Sequence, residues 1–329
     1  MLDSVTGEQV IVGTASGYYH DPLYSDDHML RWSQTGVNND FIWEKLGLPY
    51  TDTLTDIRQH AAVYVNGGGV NIDDRAKVIK VQNGIQYGAD IIQSTTDSTS
   101  YYNRIGVEAV TGNIRAKDTI SLADRCQVGD VTTTSSVTRG NNVTAGNIVQ
   151  ATYVHPEGIS LSPPPFTPGG PNQEITNNTV VNLSPGVYGD VTVRQNGILG
   201  FSRGLYQLNS LTVNAGGIVR RDGSADTAKT WIFIYGTDTP DIEGPLYANP
   251  GTVLVGIPNS AYVFISNQFD ATIVAPKASV NADLSSAHAS LVGSIFAESL
   301  TFHQGSVLGY SPFTSNWTPV CTSGNTNCN

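Results

Sequence analysis

Between Gly112 and Gly309, short β-branched pairs recur every five to seven residues, punctuated by Gly, Asn and Asp. One run passes through Ile114, Ile120, Val131, Val137, Val143 and Ile148. A second spans Tyr188 to Val219 in YGDVTVRQNGILGFSRGLYQLNSLTVNAGGIV. An amphipathic helix repeats at about 3.6 residues, and hairpin meanders place turns roughly every 8 to 12. Neither produces V-x-V pairs on a beat of about six. A parallel β-helix does, because each coil carries three short strands and the chain turns a corner about every six residues. The pattern predicts an all-β chain folded as a right-handed parallel β-helix, each rung lying directly over the one before it.

Composition agrees with that expectation. Charged residues make up 14% of the chain, Gly occurs 34 times and Met only twice, as in an all-β surface protein rather than a helical enzyme. The hydrophobic content of 39% can fill a narrow core. The net charge of −11 and the lack of any basic run longer than Arg220–Arg221 disfavour nucleic acid and anionic membrane surfaces as partners. No run of 18 apolar residues occurs, so nothing reads as a membrane span. The start, MLDSVTGEQVIVGTASGYY, lacks the basic and apolar segments of a secretion signal.

Three regions are expected. Residues 1–60 read as a non-repetitive N-terminal cap with one short helix over Asp40–Leu48, where Asp40 sits at an N-cap position and Gly47 near the end. Residues 61–311 read as the β-helix, with corner loops near 94–104, 155–178, 220–230 and 236–251. The 155–178 stretch holds a dense run of prolines, which cannot donate to a ladder, and is expected as an excursion outside the sheets. Residues 312–329 read as a C-terminal tail. Cys321 and Cys328 flank TSGNTN there, and no further soft ligands lie nearby for zinc. A disulfide closing this loop is expected, which implies an oxidising, extracellular or cell-surface location. Cys126 reads as a small inward-pointing hydrophobe. Inward positions such as Val131 and Ile273 should tolerate no charge.

From Leu183 onward, LSPGVYGDVTV, GLYQLNSLTVNAGGIV, TWIFIYGT and ATIVAPKASVNADLSSAHASLVGSIFAESL follow one another in order. With the upstream IRAKDTISLADRCQVGDVTTTSSV, this order resembles the β-helical domain of bacterial secreted and pilus-associated (PilX-type) proteins. The resemblance covers about 200 residues. It implies an extracellular structural or adhesive part without catalysis. The PGxY and sLxV segments are also similar, more distantly, to β-helical ice-binding proteins, which present flat Thr arrays. TTTSS at 132–136 is the dense candidate for such an array.

Candidate chemistry is sparse. HDPLYSDDH places Asp21, Asp26, Asp27 and His28 close together, a candidate Ca²⁺ loop or a solvated turn. Asp73, Asp74 and Arg75, and Asp124 and Arg125, fall at repeat corners, where Asx turns account for the carboxylates. A polysaccharide lyase could be assembled from Asp124, Asp130, Arg115 and Lys117 only by free choice. The aromatics Tyr101, Tyr102, Tyr206, Tyr235, Tyr247 and Trp231 are candidates to stack on sugar rings or to pack under loops. Sequons occur at Asn142, Asn177, Asn182 and Asn316. No catalytic residue and no cofactor are expected. The expected role is a non-enzymatic extracellular structural or adhesive subunit that self-associates through solenoid ends or edges. A polysaccharide-binding or polysaccharide-cleaving protein and an ice binder are the alternatives.

Overall fold

The structure is a computed structural model describing residues 16–20, 29–35, 40–45, 61–82, 84–94, 101–150, 158–221, 227–285, 289–315 and Trp317. It has two compact units, residues 1–52 and 53–329. In the first, strands Ser16–His20, Met29–Thr35 and Asp40–Lys45 form an antiparallel sheet, with Trp32 opposite Trp43. The helix expected over Asp40–Leu48 is therefore a strand as far as Lys45. Phe41, Ile42 and Trp43 are aromatic or β-branched, and their preference for a pleated surface outweighs the capping signal at Asp40.

The second unit is a parallel β-solenoid of about ten turns. Each turn crosses three faces in the same order. In one turn the chain runs along the first face in Ile114–Ala116 and along the second in Thr119–Leu122. It then passes a tight corner, touches the third face at Gln127, and turns back at Gly129–Asp130 into Val131–Thr133, which stacks on Ile114–Ala116. Alternating residues point inward, and Val131, Ile120, Leu122 and Ile273 are all buried in one column. Cys126 is buried in the same column, and desolvation pushes its thiol up.

Corners are built by two repeated devices. Asp90, Asn113 and Asp130 each accept, on Oδ1, the amide of the residue one rung on: Asn113 at 3.0 Å, Asp130 at 2.9 Å and Asn147 at 2.7 Å. The last two steps are each 17 residues long. After the second face, a residue in the left-handed region turns the chain: Arg75, Glu108, Arg125 and Asn142 on successive rungs, at φ of 57–60°. Each costs about 1–2 kcal/mol of backbone strain. Stacking brings the charged ones together, with Glu108 taking Arg75 at 3.1 Å and Arg125 at 2.9 Å.

The rungs do not follow chain order, contrary to the expectation of simple succession. From Ala61 the column grows through Asp90–Gln93, Ile114–Ala116 and Val131–Thr133 to Ile148–Gln150, the last rung at that end among the described residues. The chain re-enters at the far end in Gln173–Ile175 and climbs back. Its last rungs, Ile295–Phe302 and Val307–Tyr310, stack on Ala61–Val65, Val70–Ile72 and Lys77–Gln82. A seam between the last and first turns thus lies inside the column. It is closed by Asn66 and Asp73 amides donating to Ala297 and Phe302 carbonyls at 2.8 Å.

The proline-rich segment is the connector that this order requires. Twenty-two residues separate Gln150 from Gln173, and a chain of that length in polyproline geometry could reach about 68 Å at about 3.1 Å per residue. Ten turns at about 4.8 Å need only about 48 Å. From Ile159 onward the segment runs along the outside of the first face as a strap. The Asn66 side chain accepts the Ile159 amide and donates to the Ile159 and Pro276 carbonyls. Gln207 donates to the Pro165 carbonyl at 2.9 Å, Tyr235 donates to that of Pro164, and Phe166 stacks on Tyr235 at 4.4 Å. The strap stays outside the sheets as expected, yet it is a crossover rather than an excursion. The expected loops also prove shorter, since strands Tyr102–Ile105, Gln173–Ile175, Asp241–Ile242 and Leu246–Tyr247 lie inside three of them.

Two outcomes test this architecture. Val131→Asp should destabilise by several kcal/mol in chemical denaturation, because no group in the column can pair the charge. Lys77→Cys with Val307→Cys, partners across the seam on the third face, should oxidise within one chain and give a single cross-linked peptide on digestion.

Candidate functional site

The three faces differ in what covers their outer side. In the middle of the column the strands of the first face are buried on both sides, as in Ala61–Val65, Thr230–Ile234 and Val253–Gly256. Their outward Tyr64, Leu205, Trp231, Phe233, Leu254, Val274 and Phe296 pack under Ile159 of the strap and under Phe313 and Trp317 of the tail. Trp231 meets Phe313 edge-on at 5.7 Å, and Phe296 meets Trp317 at 4.7 Å. A continuous apolar run, rather than alternation, is the signature of a strand covered on both faces.

The second face keeps a clean alternation, with aliphatic residues inward and polar ones outward. Reading up the stack, one outward row runs Thr192, Thr212, Asp241, Phe264, Asn281, Thr301, Asn71, Arg104, Ser121 and Thr138. A parallel row carries Tyr262, Ser279 and Ser299, then a rung of glycine, then Tyr102 and Thr119. That glycine rung is obligatory. A Cβ on Gly68 would lie 2.5 Å from the Ser299 Cβ, and one on Gly69 would lie 2.8 Å from the Tyr102 carbonyl. Small residues between two tyrosines make a shallow trough, bordered along its length by Asn281, Thr301 and Asn71. Tyr262 is 38% and Tyr102 58% exposed.

The charges around the trough are mainly acidic. The Arg104 guanidinium is held by Asp73 at 3.1 Å and Asp74 at 2.8 Å. His303 lies 2.9 Å from the Asn281 carboxamide and 3.5 Å from Asp73. At the opposite end, burial and the nearby Glu243 raise the Asp241 carboxyl above its usual range. Among the described residues, two buried side-chain atoms have no hydrogen-bond partner: Asn71 Oδ1 and Asp241 Oδ1. Both sit in the row bordering this trough, four rungs apart.

The structure separates the residues of the imagined lyase site. Asp124 accepts the Asn141 amide at one corner and Asp130 the Asn147 amide at another, while Arg115 stands on the first face. Lys117 lies 4.0 Å from Asp118. Among the described residues, no three His, Cys, Asp or Glu side chains converge as metal ligands would. Asp21, Asp26, Asp27 and His28, as well as Cys321, Cys328 and Asn316, lie outside the described residues. Of the six aromatics singled out, Trp231 and Tyr206 are buried, Tyr235 is committed to the strap, and Tyr102 and Tyr247 are exposed on different faces. Tyr262 was not among them; its place beside the inward Val263 marks it as outward. TTTSS forms no ladder: Thr132 lies on the first face, Thr133 is buried at the corner, and Thr134 donates to the Lys117 carbonyl. A cleft of about 330 Å³ beside the strap is lined by Ile159, Leu161, Tyr235, Pro258, Pro276 and Lys277, and its Asn66 and Tyr235 polar groups are spent on holding the strap.

The end at Ile148–Gln150 is blunted. Arg139 occupies the inward position filled by Ile105 and Leu122 on the rungs beneath it, and donates to the Val143 carbonyl at 3.2 Å. An inward charge at a terminal strand opposes addition of a further strand. The described residues include no helix long and apolar enough to cross a membrane. No family model, no curated protein and no solved structure matches the chain.

Asp74 supplies a pH test of the ion-pair corner. The Val107 amide, with Arg104 beside it, holds its carboxyl below the ordinary 3.8. A depressed folded value means a contribution present above that pH and lost as pH falls through the lower folded value. Asp74→Asn should therefore lower stability at neutral pH and flatten its decline below about pH 4, as followed by urea denaturation across pH.

Proposed function

We propose that the chain is an extracellular, non-enzymatic adhesive protein. In this reading its solenoid is a rigid rod that presents the second face to a glycan-bearing surface. One observation carries the reading: strap and tail cover the middle of the first face, whereas among the described residues the second stays open and polar, with rings at Tyr262, Phe264 and Tyr102. A protein that needed only to stack or fill space has no use for that asymmetry. The resemblance of the region from Leu183 onward to secreted and pilus-associated β-helices supports an extracellular setting. Catalysis finds no support in the corner carboxylates: Asp74, Asp90, Asp124 and Asp130 each accept a backbone amide of the next rung, and Asp73 and Glu108 are paired with arginines.

Self-association through the solenoid end is the second reading. The half-buried Val143 and Ile148 and the exposed Val149 of the last rung favour it. Arg139 on the neighbouring strand opposes it, because burying an unpaired guanidinium is costly.

Purified chain passed over immobilised extracellular polysaccharides and cell-envelope fractions should be retained on some of them without releasing soluble fragments. Release of shortened or unsaturated sugars, or passage over every surface without retention, would reject the adhesive reading. In sedimentation velocity the wild type should run as a monomer, and Arg139→Leu should shift it toward larger species as the end opens.

A further inference from the structure

We infer that the trough between Tyr262 and Tyr102 is a binding site for an extended, uncharged polysaccharide chain lying along the solenoid axis. The inference rests on the adhesive reading and names the ligand class for its contact face.

Four independent features agree. First, the tyrosines stand at the two ends of one row, four rung spacings apart, or about 19 Å. Two exposed rings separated by a floor of Ser279, Ser299 and glycine leave room for several sugar rings. Each aromatic can pack against the apolar face of one of them. Second, the bordering row offers a carboxamide, a hydroxyl and a second carboxamide at Asn281, Thr301 and Asn71, spaced by single rungs. A linear repeat in the ligand meets a linear repeat in the protein.

Third, of the two orphan acceptors, Asn71 Oδ1 lies in that row and Asp241 Oδ1 lies in its continuation, one rung beyond Tyr262. A buried acceptor without a donor is destabilising and calls for a reason. A polyol is a string of donors, and its hydroxyls reach these oxygens once neighbouring side chains turn aside. Fourth, the charge pattern selects against anionic chains. The Arg104 cation is already held by two carboxylates, Asp241 and Glu243 are acidic side chains near the other end, and the whole protein carries −11. Arg104 therefore offers uronates and sulfated chains no unpaired charge, and among the described residues the exposed Lys277, two residues before Ser279, is the cation left open at the edge of the trough.

The test uses the full chain and measures binding of neutral gluco-, manno- and chito-oligosaccharides of increasing length by calorimetry, with a polyuronate as the charged comparison. For at least one neutral series, affinity should rise with length until the trough is spanned and then level off. Tyr262→Ala and Tyr102→Ala should each weaken it by about tenfold. Tyr247→Ala, exposed on the third face, should leave it unchanged. Asp241→Leu should weaken binding while raising the unfolding midpoint, a pair of opposite movements that a purely structural carboxylate would not give. The inference is overturned if the tyrosine variants bind as the wild type does, or if polyuronate binds as tightly as every neutral chain. If those results accompany normal retention on surfaces, the trough fails and the adhesive reading stands. If the wild type is retained nowhere, both fall.

Discussion

A rung of this solenoid cannot exist alone, because half of its backbone donors and acceptors point along the axis at the rungs above and below. Every other feature follows from that dependence. The corners exist to bring each strand back over its predecessor at the same height. The Asp90–Asn113–Asp130 column supplies the amides at one corner with acceptors that the strands themselves cannot reach. The left-handed residues at the other corner carry backbone strain because only a sharp turn keeps the next strand in register. Inside, stacking forces like residues onto like, so Ile72, Ile105 and Leu122 form one file that ends on the charged Arg139.

The same dependence explains why one face is sealed and another open. A chain that leaves one end of a column and must re-enter at the other has to run along the outside, and an apolar first face gives it somewhere to lie. Tyr64, Trp231, Phe233 and Phe296 bind the strap and tail, and in doing so they are lost as contact surface. Among the described residues the second face has no such passenger. Its function is built from what remains outward: small hydroxyl and amide side chains, with rings at Tyr262, Phe264 and Tyr102.

Much of the fold was legible in the sequence because inward and outward positions alternate within each strand, and that alternation is local. The burial of Cys126 and the corner roles of Asp74 and Asp124 followed from it. The order of the rungs did not, since a V-x-V rung looks the same whichever neighbour it meets. A pairing of Ile72 with Phe302 leaves no trace in the spacing of either segment. The doubly covered first face was written in the sequence as AAVYV, TWIFI and VLVG, runs without alternation, and this signal was available but unused. The Asp40–Lys45 segment misled because a capping residue and a nearby glycine mimic a helix, while Phe41, Ile42 and Trp43 favour a strand. The trough could not be read at all. It exists only across rungs drawn from opposite ends of the chain.

The internal seam has a consequence for how such a chain is made. Synthesis produces the block from Ala61 to Gln150 first, and its Ala61–Val65 side, with Val65, Val70 and Ile72 lining the core, faces an empty place. The segments that fill that place, Ile295–Phe302 and Val307–Tyr310, are made only after the whole returning limb from Gln173 onward. A prematurely ended chain therefore lacks a slab from the middle of its column rather than a tip, and is left with two raw cross-sections.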